Sequence, residues 1–227
     1  MLDLIRVAHE VKPADIDESV HPGESPRKYT ERVARGKAMV IAETSPDVVT
    51  IAADTIVVID KKILGKPTSP VDAGSMLSLL NGREHTVFTA VAVARGGTIR
   101  SAVEEVRVRF RHLSEDEIDA YIATGEPMDK AGAYGIQGYG ATIVERIEGD
   151  YFAVMGLSLV RLTALLAEVG VVYRFGELLT DEKSFAGASA ATLPRSTAGG
   201  KRSGRHLDAP KQKKNAAGRK AGNQRSG

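Results

Sequence analysis

Val48-Val49-Thr50-Ile51-Ala52-Ala53-Asp54-Thr55-Ile56-Val57-Val58-Ile59 is a twelve-residue run in which Asp54 is the only charged residue. The run is short, rich in β-branched side chains and apolar on both faces. That is the pattern of a strand buried in the middle of an α/β sheet. A bare carboxylate there costs on the order of several kcal/mol unless a metal, a cation or hydrogen-bond donors compensate it. Two readings stay open at this point. Asp54 is kept because chemistry needs it, or it is a structural acid at a bulge or strand end, satisfied by backbone N–H groups.

Outward from this strand, the helices are well punctuated. Ser25-Pro26 supplies an N-cap and a first-turn proline for a helix running to about Glu43. Ser69-Pro70 opens a second, with Asp72 in its first turn and Gly82 just past its end. Ser114-Glu115-Asp116-Glu117 reads as a capping box, and Gly125 followed by Pro127 stops that third helix. Leu157, Val160, Leu162, Leu165, Leu166 and Val169 space a fourth, amphipathic helix that ends at Gly170. Residues 87–94 and 98–110 flank Gly96-Gly97 as the arms of a β-hairpin. In the second arm Glu104, Arg107 and Arg109 leave one face to water. Residues 141–147 and 151–155 read as two further strands, with Gly149 in the turn. Helices alternating with strands, plus one antiparallel hairpin, predict an α/β fold with a mixed β-sheet flanked by helices.

At 227 residues and 42% hydrophobic content, the chain can build a real core. It has no cysteine, which excludes disulfides and thiolate metal sites. No stretch has the length of a membrane span, and the first residues lack a signal-peptide pattern, so the cytoplasm is the expected location. The charge is split. Residues 183–227 hold 11 Lys or Arg and one acid, Asp208; of the totals of 31 and 29, this leaves 20 basic and 28 acidic in residues 1–182. The body is therefore acidic and the tail strongly basic. With almost no large apolar residue, 183–227 is expected to be a disordered basic tail. A solvated tail is expected; weak electrostatic contact with RNA or a membrane is the alternative, nucleic acid being reached through this tail alone, and no membrane contact is expected of the body.

Four segments carry groups suited to chemistry: Ala53-Asp54-Thr55, Gly65-Lys66-Pro67, the glycine-rich stretch 129–140, and Asp15-Ile16-Asp17-Glu18. Gly132, Gly135, Gly138 and Gly140 let backbone approach a ligand closely. Gln137 carries a donor and an acceptor, as a base edge or a phosphate chain requires. Neither a Walker loop nor a dinucleotide fingerprint is present, and a tight β connection explains the glycines equally well. Lys37, Lys66 and Lys130 are by default solvated, and Asp15, Asp17 and Glu18 by default form an exposed turn. His85 reads as structural, and the five histidines form no metal-spacing pattern. Together the groups are more specific than any member. A buried carboxylate, lysines on separate elements and an acidic cluster suit a polyphosphate bound with Mg²⁺ or a similar cation.

The stretches Ala53-Asp54-Thr55, Gly65-Lys66-Pro67, Leu79-Leu80-Asn81-Gly82 with His85, Lys130-Ala131-Gly132-Ala133-Tyr134-Gly135-Ile136-Gln137-Gly138, and Gly156-Leu157 occur in this order. In these motifs the chain, from about Leu2 to Leu179, resembles the Maf (septum-formation) family of nucleoside triphosphate pyrophosphatases. The resemblance implies an inosine-triphosphatase-like domain over residues 1–179, with a central cleft. It also implies hydrolysis of a nucleoside triphosphate to monophosphate and pyrophosphate with a divalent cation, Mg or Mn, and is compatible with a homodimer. Carried over by position, Asp54 is the proton acceptor, and Thr55 and Gln137 are specificity positions. Lys37, Lys66 and Lys130 then meet phosphates, and Glu18 with Asp54 lies at the metal. The Tyr134-Gly135-Ile136-Gln137-Gly138 form is similar to the branch preferring dTTP and UTP. The branch acting on 7-methyl-GTP has Glu where Gln137 stands.

Two departures from the family pattern are expected to matter unequally. The family opens with a strand and a Ser-x-Ser-Pro-Arg-Arg turn, whereas Met1-Leu2-Asp3-Leu4-Ile5-Arg6 resembles the end of the helix that follows them. Ser25-Pro26-Arg27-Lys28 matches the next helix and is no substitute. Residues 1–227 as they stand are therefore expected to hydrolyse weakly or not at all, and an extended chain normally. Ser158 replaces a proline, with a small local effect expected. Beside the enzyme stand two other readings: a nucleotide binder acting through partners in cell division, and an RNA-associating protein.

Overall fold

The computed structural model describes residues 1–180. The expected basic tail, 183–227, lies outside them. In chain order the elements are α1 (Pro26–Thr44), β1 (Thr50–Ile59), β2 (Lys62–Leu64), α2 (Pro70–Leu80), β3 (Glu84–Arg95), β4 (Thr98–Phe110) and α3 (Glu115–Ala123), then β5 (Val144–Glu148), α4 (Tyr151–Val154), α5 (Leu159–Glu168), β6 (Val171–Arg174) and β7 (Glu177–Thr180). Three short 3-10 turns fill the stretch between α3 and β5.

The sheet runs β2-β1-β3-β4-β5, with β6-β7 as a separate hairpin. The α/β expectation holds, with helices on both faces. The ladders among the described residues are antiparallel, rather than mixed. The physical reason lies in the connection from β1. The chain turns back at once into β2 and then α2, so it re-enters the sheet as β3 running opposite to β1.

The centre of the sheet is β3, not β1. Alternate residues of β3 bury on opposite faces, as a two-residue period dictates. Ala90, Ala92 and Ala94 meet Ala34 and Ala38 of α1, while Val91 and Val93 meet Leu162, Leu165 and Leu166 of α5. Strand β1 pairs with β2 only at Val57, Val58 and Ile59. Among the described residues, the outer edge of 50–56 has no strand beside it. A run that is apolar on both faces predicts the middle of a sheet, but that pattern cannot distinguish a central strand from one shielded on one side by a helix and a loop.

The caps form as expected. Ser25, Ser69 and Ser114 each accept a backbone N–H of their helix, and Ser114 with Glu117 completes the capping box. One element differs in kind. Residues 151–155 are not a strand: Asp150 accepts the N–H of Phe152, and Tyr151–Val154 closes into a short helix. Strand β5 also begins later than expected, because Gly138–Thr142 forms a 3-10 turn. Ser158 is the N-cap of α5. Among the described residues no helix is long and apolar enough to cross a membrane.

Candidate active site

Tyr29, Val33 and Lys37 recur every four residues and so share one face of α1. Tyr29 and Val33 pack on Ile56 of β1. Two residues earlier in β1, on the same face, stands Asp54. Lys37 therefore meets it: Nζ lies 2.9 Å from Asp54 Oδ1 and 2.9 Å from Glu18 Oε1. The Asp54 side chain is 10% exposed, and its Oδ2 is buried with no hydrogen-bond partner. Burial lifts the Asp54 carboxyl above the ordinary carboxylate range, against the pull of the Lys37 ammonium. Burial also works against the Lys37 charge, but the hydrogen bonds to Asp54 and Glu18 outweigh it and hold that ammonium above its ordinary pKa. Two of the three Lys37 donors are thus engaged, and one is left for a ligand.

Thr55 points to the opposite face of the sheet. Its Oγ1 lies 2.8 Å from Oγ1 of Thr89, its direct partner in the β1–β3 register. Thr89 in turn donates to the Ala153 carbonyl of α4 at 2.7 Å. Asp54 and Thr55 border one cavity although they belong to opposite faces, because that cavity lies at the outer edge of β1.

The glycine-rich stretch closes the other side. Gly132 donates its N–H to the Gly65 carbonyl at 3.0 Å, which joins this stretch to the loop carrying Lys66. Gly132 has φ +70°, and a Cβ there would lie 2.8 Å from Val57, so only glycine permits this approach to β1. Beyond it, the Glu126 carboxylate accepts the N–H groups of Tyr139 and Gly140 at 2.9 Å each and the Tyr121 hydroxyl at 2.9 Å. Tyr121 also accepts the N–H of Gly135 at 3.2 Å. Glu126 and Tyr121 thus hold both ends of the segment containing Gln137. Lys130 donates to the Glu126 carbonyl at 3.0 Å and pairs with Asp129 at 2.6 Å.

The cavity so formed has a volume of about 560 Å³. Asp54, Thr55, Gln137, Lys37, Lys66, Lys130 and Glu18 all line it. Three other residues read from sequence do not. Asp15 and Asp17 stay outside the cavity lining, and Asp17 accepts the Ser19 N–H in a local turn. His85 is buried, bonds Tyr134 at 2.7 Å and stacks edge-on against Phe110. Asn81, part of the quoted Leu-Leu-Asn-Gly stretch, ties both the N–H and the carbonyl of Leu113. Sequence reasoning missed Tyr29, Thr89, Tyr121 and Glu126, whose partners are distant or not assignable from spacing.

Among the described residues no group of three or more His, Asp or Glu could by itself hold a metal ion. The donors present nonetheless fit a hard divalent cation. Glu18 and Asp54 converge on one ammonium, and Asp54 Oδ2 is an unengaged buried oxygen. Mg²⁺ is commonly held by one or two carboxylates, with water and substrate phosphates completing the shell.

The model of the Maf-like protein family matches residues 1–169. A dTTP/UTP pyrophosphatase of Moorella thermoacetica is 50% identical over 163 residues, 71% of this chain and 84% of that protein. One of Methylobacillus flagellatus is 50% identical over 173 residues, covering 75% and 87%. One of Aquifex aeolicus is 42% identical over 172 residues, covering 76% and 90%.

Proposed function

The chain belongs to the Maf-like protein family, and from that premise we propose that it is a nucleoside triphosphate pyrophosphatase acting on dTTP and UTP. The reaction is hydrolysis of an acid anhydride. A water oxygen bonds to the α-phosphorus, the bond from that phosphorus to the α,β-bridging oxygen breaks, and pyrophosphate leaves the nucleoside monophosphate. Asp54 accepts the proton that the water loses. Burial makes this carboxylate a stronger base, and the Lys37 ammonium opposes that rise. Lys66, Lys130 and the remaining donor of Lys37 face the phosphate chain. Glu18 and Asp54 would hold Mg²⁺ or Mn²⁺, which when bound neutralises phosphate charge. Thr55 and Gln137 face the base. The cytoplasm is the compartment where this substrate is found.

The observation that carries this reading is convergence. Seven groups from five separate stretches of chain border one cavity of about 560 Å³, a size suited to a small-molecule ligand. The test is pyrophosphate release from dTTP and UTP with Mg²⁺ or Mn²⁺. The expected result is release, weak in residues 1–227 as they stand, that Asp54→Asn of unchanged fold abolishes. Nucleotide binding without release would instead favour a binding protein acting through partners.

A further inference from the structure

We propose that Thr89, buried in β3 and outside the cavity lining, sets the direction of the Thr55 hydroxyl and so makes the base subsite discriminate uracil and thymine from cytosine. The inference rests on the reading that Thr55 faces the base.

The argument is a count of protons. Thr89 Oγ1 lies 2.7 Å from the carbonyl oxygen of Ala153, which has no proton to give. The single hydroxyl proton of Thr89 is therefore spent on that bond. Thr55 Oγ1 lies 2.8 Å from Thr89 Oγ1, so in this pair Thr55 must donate. Its own single proton then points into the sheet, and Thr55 offers the cavity only lone pairs. Thr89 is fully buried, and its hydroxyl is engaged by these two partners. The space above the Thr55 oxygen is open because residue 156 is glycine. A Cβ there would sit 3.5 Å from Thr55 Oγ1.

Uracil and thymine present an N3–H donor between two carbonyl oxygens. Cytosine presents a bare N3 acceptor beside its amino group. An acceptor-only Thr55 satisfies N3–H and meets the cytosine N3 lone pair against lone pair. Gln137 cannot make this distinction alone, because its amide can turn over and offer either a donor or an acceptor. Thr89 is thus a positioning residue that acts through Thr55, and the short helix at Tyr151–Val154 matters because it aims the Ala153 carbonyl at Thr89.

The test compares Thr89→Val, Thr89→Ser and Thr55→Val with the parent chain. It reads dissociation constants for the α,β-methylene analogues of UTP and CTP, together with pyrophosphate release from UTP and CTP. In Thr89→Val the Thr55 hydroxyl is free to turn and donate to cytosine N3. The preference for uracil should fall by on the order of tenfold, mainly through a gain with cytosine, since unpaired polar groups govern such discrimination. Thr89→Ser keeps both hydrogen bonds and should keep the parent ratio. An unchanged ratio in Thr89→Val, or a collapsed ratio in folded Thr89→Ser, overturns the inference. If Thr55→Val leaves the ratio unchanged, Thr55 does not read the base and the reading beneath the inference fails. A lowered ratio in Thr55→Val with a retained one in Thr89→Val sinks only the role of Thr89.

Discussion

Lys37 holds one oxygen of Asp54 at 2.9 Å while the other oxygen of that carboxylate is buried and unbonded. The pair is half-neutralised: the charge is kept, and one lone-pair face is left for water or a cation. On the proposed role of Asp54 as proton acceptor, the rate should fall as pH drops through its raised pKa. Replacing Lys37 by Met removes the opposing ammonium and leaves burial to act alone. The acid limb of the kcat/KM profile should then move to higher pH, and the maximum should drop at least tenfold. Profiles of parent and Lys37→Met that share one acid limb would show that Lys37 does not tune Asp54.

His85 gives a separate pH effect, on stability. Burial lowers its pKa from an ordinary 6.5 to about 4. The unfolded chain therefore binds a proton between pH 6.5 and 4 that the folded chain refuses. The contribution is fully present above pH 6.5 and is lost as pH falls through about 4, amounting to about 3 kcal/mol. Urea unfolding of the parent should weaken over that window. A His85→Asn variant should show a flatter slope there, whatever its stability at neutral pH.

Glu126 anchors the segment that bears Gln137. Glu126→Ala removes acceptors from two backbone N–H groups and the Tyr121 hydroxyl. A loss on the order of 2 kcal/mol or more is expected, since hydrogen bonds to a carboxylate are among the stronger ones. Hydrogen exchange is the direct measurement: the amides of Tyr139 and Gly140 should exchange faster, while those of β3 keep their protection.

Gly132→Ala places a methyl group 2.8 Å from Val57 at a positive φ. Either the backbone or β1 has to shift, at a cost of about 1–3 kcal/mol. The denaturation midpoint should fall, and KM for the triphosphate should rise as the two walls of the cavity move apart. An unchanged midpoint and KM would mean that the approach is not tight.

Much of this molecule was legible in its sequence, and the exceptions share a cause. The caps at Ser25, Ser69 and Ser114 are local, and their helices begin where the sequence places them. The seven predicted residues that line the cavity are legible because resemblance adds what spacing alone does not. Tyr151–Val154 differs from its sequence expectation because Tyr, Phe and Val favour strands locally, whereas the Asp150 cap and the contact with Thr89 favour a helix turn. Thr89 and Glu126 stayed hidden for the same reason. Thr89 looks like any apolar-strand threonine until Thr55 is set opposite it, and Glu126 like any surface acid until the chain folds back over it.

Helix α1 rests on the β3 alanines through alanines of its own. With methyl groups on both sides of that contact, the seat has no slack. Added bulk at Ala90 or Ala92 would act as a shim, tipping the helix outward and swinging the ammonium away from its acid. On the proposed role of that acid, the rate would therefore be adjustable from a spot outside the cavity lining, one carbon at a time.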